Sequence, residues 1–548
     1  MVSDGGNLVA GERALAAADW KAAKVAFEAA LAESECAEAL SGLGYACFWL
    51  GDMTRALELR ERAYLAFRER GDRAAACRLA LWLAGEHAAV GSTAVVSGWV
   101  ARAERLIAEM GECPERGWLL LRRARMAAEP AEAERVAREV IALAHRLHDR
   151  DLEIAAISRC GRALLAAGRI EEGFACLDEA MAGATSGEAR NIDAVGDTCC
   201  DMIGACERAA EMERAMQWCR VTDEYARRYN FLPVFAFCRT TYAGVLLALG
   251  RWSEAERELH EALRTYEASF AFQSVNAVAK LAELRLLQGR DADAEALLAD
   301  HAQHPSAARA IAMLHLARGD AASAARVLRK RAAAVGSDVL LVAPLLSLLV
   351  EAHLAHRDVA EAKAAAERLG AIASATRRPA FAAASSLAAG LVACAEGHPS
   401  AVDHLEAAIH EYTSVGMPLP AARARMALAR CLAETDPRAA REECRAAVAA
   451  FETLGAKRDL DASADLRRRL RVGARVGRRT TSRLTRREEE VLALLGLGLS
   501  NAKIGARLYI SPKTVEHHVG HILAKLDLET RAAAAAFAAK RGRKPAPK

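Results

Sequence analysis

Lys513, Glu516, His517, Gly520 and His521 follow one another at spacings of one to three residues, beginning inside the stretch "SNAKIGARLYISPKTVEHHV". At 100° per residue they share one side of a helix with Ala524, while Val515, Val519, Ile522 and Leu526 fall on the other. A face that mixes an ammonium, a carboxylate and imidazoles, with no bulky apolar side chain, does not suit a packed core. It suits the major groove of duplex DNA, where polar side chains read base edges and surrounding Lys and Arg grip phosphates. The chemistry on offer is recognition.

The elements that must position this face are legible on both sides of it. Thr485 followed by Glu488 is a capping box, in which each side chain satisfies an orphan backbone N–H at a helix start. Val491, Leu492 and Leu495 give that helix one apolar face, and Gly496 and Gly498 end it. Ser500 caps a short second helix, "NAKIGARL", with Ile504 and Leu508 inward. After a "YIS" turn, Ser511 caps a third helix with Pro512 at its first position, where no N–H is missed. Two short helices joined by a tight turn, the second facing outward, make a helix-turn-helix.

Charge separates this end from the rest. Residues 466–548 hold 20 Lys and Arg against 6 Asp and Glu, a net of +14, and the remainder holds 55 against 65, a net of −10. A basic module on an acidic body implies a polyanionic partner for one end. The opening residues show no basic region followed by an apolar core, so no signal peptide is expected. The strongest apolar run, Val339 to Val350, falls short of the ~20 residues that span a bilayer. Pro379 to Ala395 is uncharged but rich in Ala, Ser and Gly, which suits a buried repeat helix. The expectation is a cytoplasmic protein with no membrane partner.

Catalytic and metal signatures fail to appear. The 14 cysteines are scattered without a C-x-x-C pair, and Cys199, Cys200, Cys206, Cys219 and Cys238 match no metal-ligand spacing. Three H-x-x-H spacings, His145/His148, His301/His304 and His353/His356, lack the Glu of H-E-x-x-H and read as solvated helix faces. There is no phosphate-cradling G-x-x-x-x-G-K-[ST], no dinucleotide turn and no G-x-S-x-G elbow. The reading is no enzyme, no cofactor and no metal.

The body repeats. Gly44, Ala56 and Ala63 recur with the same offsets as Gly161, Gly173, Ala180 and as Ala243, Ala255, Ala262. A Gly followed by Arg or Asp punctuates the helices at Gly51, Gly168, Gly250, Gly289 and Gly319, with degenerate turns around Arg357 and Gly397. Small residues at such offsets let two helices of a hairpin approach closely, and the Gly ends the first in a left-handed conformation. Each hairpin buries its face only by stacking on the next. The pattern looks like tetratricopeptide repeats, whose unit is about 34 residues. Such arrays present a concave surface to a peptide, a protein or a small ligand. Thr93 to Pro130 does not parse into the pattern.

The stretch "LTRREEEVLALLGLGLSNAKIGARLYISPKTVEHHVGHILAKLDLETRAAAAA" closely resembles the C-terminal DNA-binding domain of LuxR-type (NarL/GerE-like) bacterial transcription regulators. The matches run from Leu484, Thr485 and Glu488 through Gly498, Ser500, Ile504, Ser511, Thr514 and Val515 to Lys525, Leu526 and Arg531. The body is similar to the repeat region of large multi-domain LuxR-type regulators, without their ATP-binding module. Two departures stand out. Lys503 sits where the family often has Glu, which removes a second capping box, and Gly505 replaces a frequent Ala at ~1 kcal/mol of helix propensity.

The resemblance implies that Lys513, Glu516, His517 and Gly520 face bases, with His521 beside them. It implies that Asn501, Lys503, Ser511, Thr514 and Lys525 contact or approach phosphates, and that His518 is a hydrogen-bonded orienting residue. The last helix, "TRAAAAAFAAKRG", is where the family dimerises, with Phe537 as the apolar anchor.

The expected protein is all-α: a TPR-like α-solenoid over 8–470 serving as a sensor or interaction region, an Arg/Gly-rich linker over 471–483, a four-helix LuxR-type domain over 484–541 and a basic tail over 542–548. The expected function is sequence-specific transcription regulation, as a homodimer on double-stranded DNA, with a protein or small-molecule effector on the repeats. The rival reading is a repeat scaffold for protein assembly whose helix-turn-helix docks a protein.

Overall fold

The computed structural model describes residues 6–89, 92–127, 129–228, 232–269, 273–476, 484–526, 528 and 530–541. The described residues form twenty-nine α-helices, numbered α1 (Gly6–Ala16) to α29 (Arg531–Arg541), and no strand. They fall into two compact units, one of residues 1–428 and 443–463, the other of residues 429–442 and 464–548.

The first unit is a series of stacked antiparallel hairpins, and its turns work as their sequence implies. Gly51, Gly168, Gly250, Gly289 and Gly319 all have φ between +71° and +84°, the left-handed region that glycine enters without strain. At the degenerate turns Arg357 takes φ +62° and Gly397 +68°. Close approach is equally literal. In α9 (Arg150–Ala166) and α10 (Ile170–Ser186), a Cβ on Gly161 would lie 2.7 Å from the Gly173 carbonyl oxygen, and one on Gly173 would lie 2.9 Å from that of Gly161. Even alanine is too large there. Ala56, Ala63, Ala180, Ala243, Ala255 and Ala262 are 0% exposed at the equivalent contacts.

The stretch that resisted parsing resolves into α6 (Thr93–Ile107), α7 (Pro114–Met126) and the start of α8 (Pro130–Leu147), with prolines at the first turns of α7 and α8. Contacts also run between distant hairpins. Ser337 Oγ donates to Glu129 Oε2 at 3.0 Å, and Arg378 bridges Glu211 at 2.8 Å and Glu171 at 3.2 Å. The array therefore coils back on itself within this unit.

Helix α21 (Pro379–Glu396) is long and apolar enough to cross a bilayer by length and composition, with 39% of its apolar window buried. It packs against α20 (Val359–Thr376) and α22 (Ala401–Ser414). His353 departs from expectation: it is not on a solvated face but 4% exposed, and among the described residues its Nδ1 has no hydrogen-bond partner. Burial holds it below the ordinary histidine range.

The Arg-rich stretch is not linker from its first residue. Helix α25 (Lys457–Val476) runs through it to Val476, and the rest of the expected linker, 477–483, lies outside the described residues, as does the basic tail at 542–548.

Candidate nucleic-acid interface

Four short helices carry the C-terminal site: α26 (Arg486–Gly496), α27 (Asn501–Leu508), α28 (Pro512–Lys525) and α29. Each start follows the local chemistry of the chain. Thr485 Oγ1 accepts from the Glu488 amide at 3.2 Å and Glu488 Oε2 accepts from the Thr485 amide at 2.8 Å, completing the capping box. Ser500 caps α27 through the Lys503 amide, but Lys503 has no carboxylate to answer it. Ser511 caps α28 through the Thr514 amide at 3.0 Å, with Pro512 in the first turn.

Val491, Leu492, Leu495, Ile504, Val515, Val519, Ile522 and Ala534 close one apolar core, and Leu508 and Leu526 pack against it. Two arginines tie the helices through backbone carbonyls. Arg487 Nη2 donates to the Leu508 carbonyl at 2.5 Å, and Arg531 Nη2 to that of Leu499 at 2.5 Å.

Gly505 is a requirement and not a weakness. A Cβ there would sit 2.5 Å from the Ile510 carbonyl oxygen, because the chain turns tightly over α27, with Tyr509 at φ +55° and the Ile510 amide donating to the Gly505 carbonyl at 3.0 Å. The propensity lost in the helix makes room for the turn that launches α28.

With Val515, Val519 and Ile522 fixed inward, Lys513, Glu516, His517 and Gly520 are all exposed. Among the described residues neither Lys513 nor Glu516 enters an ion pair within 4.0 Å, so the two charges do not neutralise each other. Lys503 is exposed on α27. The Ser511 and Thr514 hydroxyls are half-buried and 2.7 Å apart. Asn501 Oδ1 accepts from Arg531 Nη1 at 2.5 Å, which orients the amide towards α29.

Three residues sit differently from expectation. The Lys525 side chain is 6% exposed, with its ammonium 2.7 Å from Glu488 Oε2 and 2.5 Å from Asp436 Oδ2. It is an interior cation here and does not share the exposed face. His521 is half-covered, its Nε2 2.6 Å from Glu442 Oε2. His518 is no hydrogen-bonded orienting residue at Nε2, which is buried without a partner among the described residues. Burial depresses that ring to about 4, so it is neutral at physiological pH.

The periodicity of the chain also left residues unmarked. Tyr509 is 95% exposed in the turn before α28, and Arg507 is exposed two residues earlier on α27. Only the left-handed backbone at Tyr509 turns that ring outward, and no local motif encodes it. At the other end, Phe537 is 38% exposed on α29, an apolar ring at the surface of a helix otherwise covered by alanine and basic residues.

A four-helix core with capped helix starts, presenting one polar helix face, defines a helix-turn-helix domain of the kind that reads duplex DNA. Residues 482–538 match the family described as bacterial regulatory proteins, luxR family, and the C-terminal domain is a LuxR-family helix-turn-helix. Similar curated proteins include an uncharacterized transcriptional regulatory protein, YhcZ of Bacillus subtilis (strain 168), 53% identical over 57 residues that make up 10% of this chain and 27% of that one. The DNA-binding transcriptional activator DevR/DosR of Mycobacterium tuberculosis is 42% identical over 101 residues, 18% of this chain and 46% of that one. The chain thus spans between about a quarter and about half of the length of these two relatives. A solved structure of the APC/C hetero-tetramer Cut9-Hcn1 overlaps 83% of this chain and 95% of its own, at 14% identity and a TM-score of 0.40.

Proposed function

We propose that this protein is a transcription regulator that inserts α28 into the major groove of its operator and receives a ligand or protein partner on its repeat array. The observation that carries the reading is the division of α28 between an inward apolar stripe and an outward face of Lys513, Glu516, His517 and Gly520. Lys503, Ser511 and Thr514 flank that face on the side where a phosphate backbone would run. Asn501 belongs to the same edge through its tie to Arg531. Tyr509 and Arg507 join them as backbone contacts. His521 and Lys525 reach DNA only if Glu442 and Asp436 release them. The active species is a homodimer formed through Phe537, working in the cytoplasm of a bacterium.

The test is a selection of binding sites from a random DNA pool with the full chain, followed by affinity measurement at increasing salt. A common motif should emerge, and affinity should fall steeply with salt as counterions released by Lys and Arg are re-bound. No enrichment, together with no binding at low salt, overturns the proposal.

A further inference from the structure

The N-terminal hairpins hold a cluster that DNA reading does not use. Asp193, Asp197 and Asp201 lie four residues apart on α11 (Ile192–Ala209) and form one stripe. Arginines from other helices face the stripe in turn. Arg125 of α7 is 3.0 Å from Asp197, and Arg159 of α9 is 3.3 Å from Asp201. Arg162 stands 3.8 Å from both Asp201 and Asp338.

At the Asp193 end the pattern breaks. Arg60, on α4 (Met53–Glu69), is 3% exposed, and its Nε and Nη2 are buried with no hydrogen-bond partner among the described residues. Its Cζ lies 3.0 Å from the centre of the Trp82 ring and 5.2 Å from that of Tyr45. Gly44 admits the stem, since a Cβ there would meet Arg60 Cγ at 2.8 Å.

A buried guanidinium with open donors is costly to a fold, and although Asp193 favours its charge, no group among the described residues accepts from its Nε or Nη2. Burial lowers Arg60 itself to about 9. Burial raises Glu86 to about 8, so this carboxyl group is mostly protonated at neutral pH. Burial also raises Asp193 to about 6. Asp193 is still mostly ionised at neutral pH and supports the Arg60 charge without bonding its Nε or Nη2, while Glu86 holds a carboxyl O–H able to donate. The cluster also borders water, since Tyr45, Trp82, Glu86 and Asp193 are each only half-buried. Four of the chain's seven tryptophans fall in its first hundred residues. Trp20 and Trp49 stack at 5.3 Å, and Phe48 meets Trp82 edge-on at 5.0 Å, which gives the cluster an aromatic wall.

We infer that this cluster binds a small monocarboxylate with a flat apolar body, its carboxylate on the Nε/Nη2 edge of Arg60 and its body against Tyr45 and Trp82. The geometry is that of bidentate carboxylate recognition by arginine, with an aromatic platform setting shape. A phosphate dianion fits less well, because a second negative charge would face Asp193. The inference deepens the effector role proposed for the array and rests on that reading.

The test uses the full chain without DNA, so that its outcome is independent of operator binding. Benzoate is titrated by calorimetry and by thermal unfolding up to about 10 mM, tenfold above the ~1 mM dissociation constant expected of so small a ligand. Acetate, inorganic phosphate and neutral benzamide are run beside it. Benzoate should bind and raise the midpoint, acetate should do so more weakly, and phosphate and benzamide should do neither. Arg60→Met, which keeps the stem against Gly44 and Trp82, should weaken benzoate by about tenfold or more while leaving the ligand-free midpoint equal or higher. Arg60→Lys should retain part of the response. Absence of a benzoate response in the wild type, an equal response in Arg60→Met, or a stronger response to phosphate than to benzoate overturns the inference. A lowered ligand-free midpoint in Arg60→Met also overturns it, since the arginine would then be serving the fold. DNA binding that persists while benzoate fails removes this site and leaves the regulator reading standing. Benzoate binding without DNA binding does the reverse.

Discussion

Replacing Lys525 with methionine tests how the second unit is held together. The Lys525 ammonium lies between Glu488 and Asp436 at 2.7 and 2.5 Å, and the three side chains are 6%, 2% and 6% exposed. Methionine keeps most of the volume and removes the charge, leaving two carboxylates buried without their cation. Breaking a buried pair in this way costs about 3–5 kcal/mol, whereas an exposed pair is worth about 0–1 kcal/mol. Through the tenfold-per-1.4 kcal/mol relation, the larger figure lowers amide protection in α26 and α28 by about two to three and a half orders of magnitude.

Hydrogen exchange read by peptide mass spectrometry on the full chain measures that loss locally, without interference from the array. A triple variant, Lys525→Met with Asp436→Asn and Glu488→Gln, should recover most of it, because Gln preserves the capping box and the uncompensated charges have gone. The pH dependence has a definite sign. Burial pushes the Asp436 carboxyl up, but hydrogen bonds from Lys525 and from the Ala439 amide outweigh it and hold the group below its usual range. A depressed carboxylate gives stability above its unfolded value of ~3.9 that is lost as pH falls through the lower folded value. In Lys525→Met burial is no longer opposed by the cation, so the gap between variant and wild type should narrow as pH drops towards about 4. A loss under ~1 kcal/mol at pH 7, or a gap that widens on acidification, refutes the buried-triad reasoning.

Three further outcomes follow from the same unit. Glu516→Ala should relax preference at a single base pair, by about 1–3 kcal/mol, while non-specific affinity holds or rises, and Lys503→Ala should weaken all sequences alike and lower the salt slope by about one unit. Parallel selections from a random pool check this, and an unchanged Glu516→Ala motif rules out a base contact. Gly505→Ala should destabilise the domain by about 1–3 kcal/mol in spite of its better helix propensity, because the added Cβ meets the Ile510 carbonyl at 2.5 Å. Exchange protection in α27 and α28 reports it, and a more protected variant would contradict the contact. Phe537→Glu should cut affinity for an operator with two half-sites far more than for one half-site, measured by titration on both DNAs. Equal losses would mean that Phe537 does not mediate pairing.

Local chemistry determined a good deal of this protein without help from the rest of the chain. The caps at Thr485, Ser500 and Ser511, the glycine turns of the hairpins and the two faces of α28 depend on residues within four or five positions of one another, and these features appear as the spacing implies. Tertiary structure decided everything that depends on residues far apart. Lys525 and His518 have the same local spacing as their exposed neighbours, yet packing against α26 and residues 429–442 makes one an interior cation and the other a neutral buried ring. Gly505 reads as a weak helix position until the turn five residues on comes back over it. The unanswered Arg60 is more distant still: its surroundings come from α3 (Ala37–Trp49), α5 (Arg73–Ala89) and α11, and no periodicity within α4 could say that those helices leave its donors open. Helix propensity and capping act over one turn of chain, while burial and charge pairing act over whatever the fold brings together.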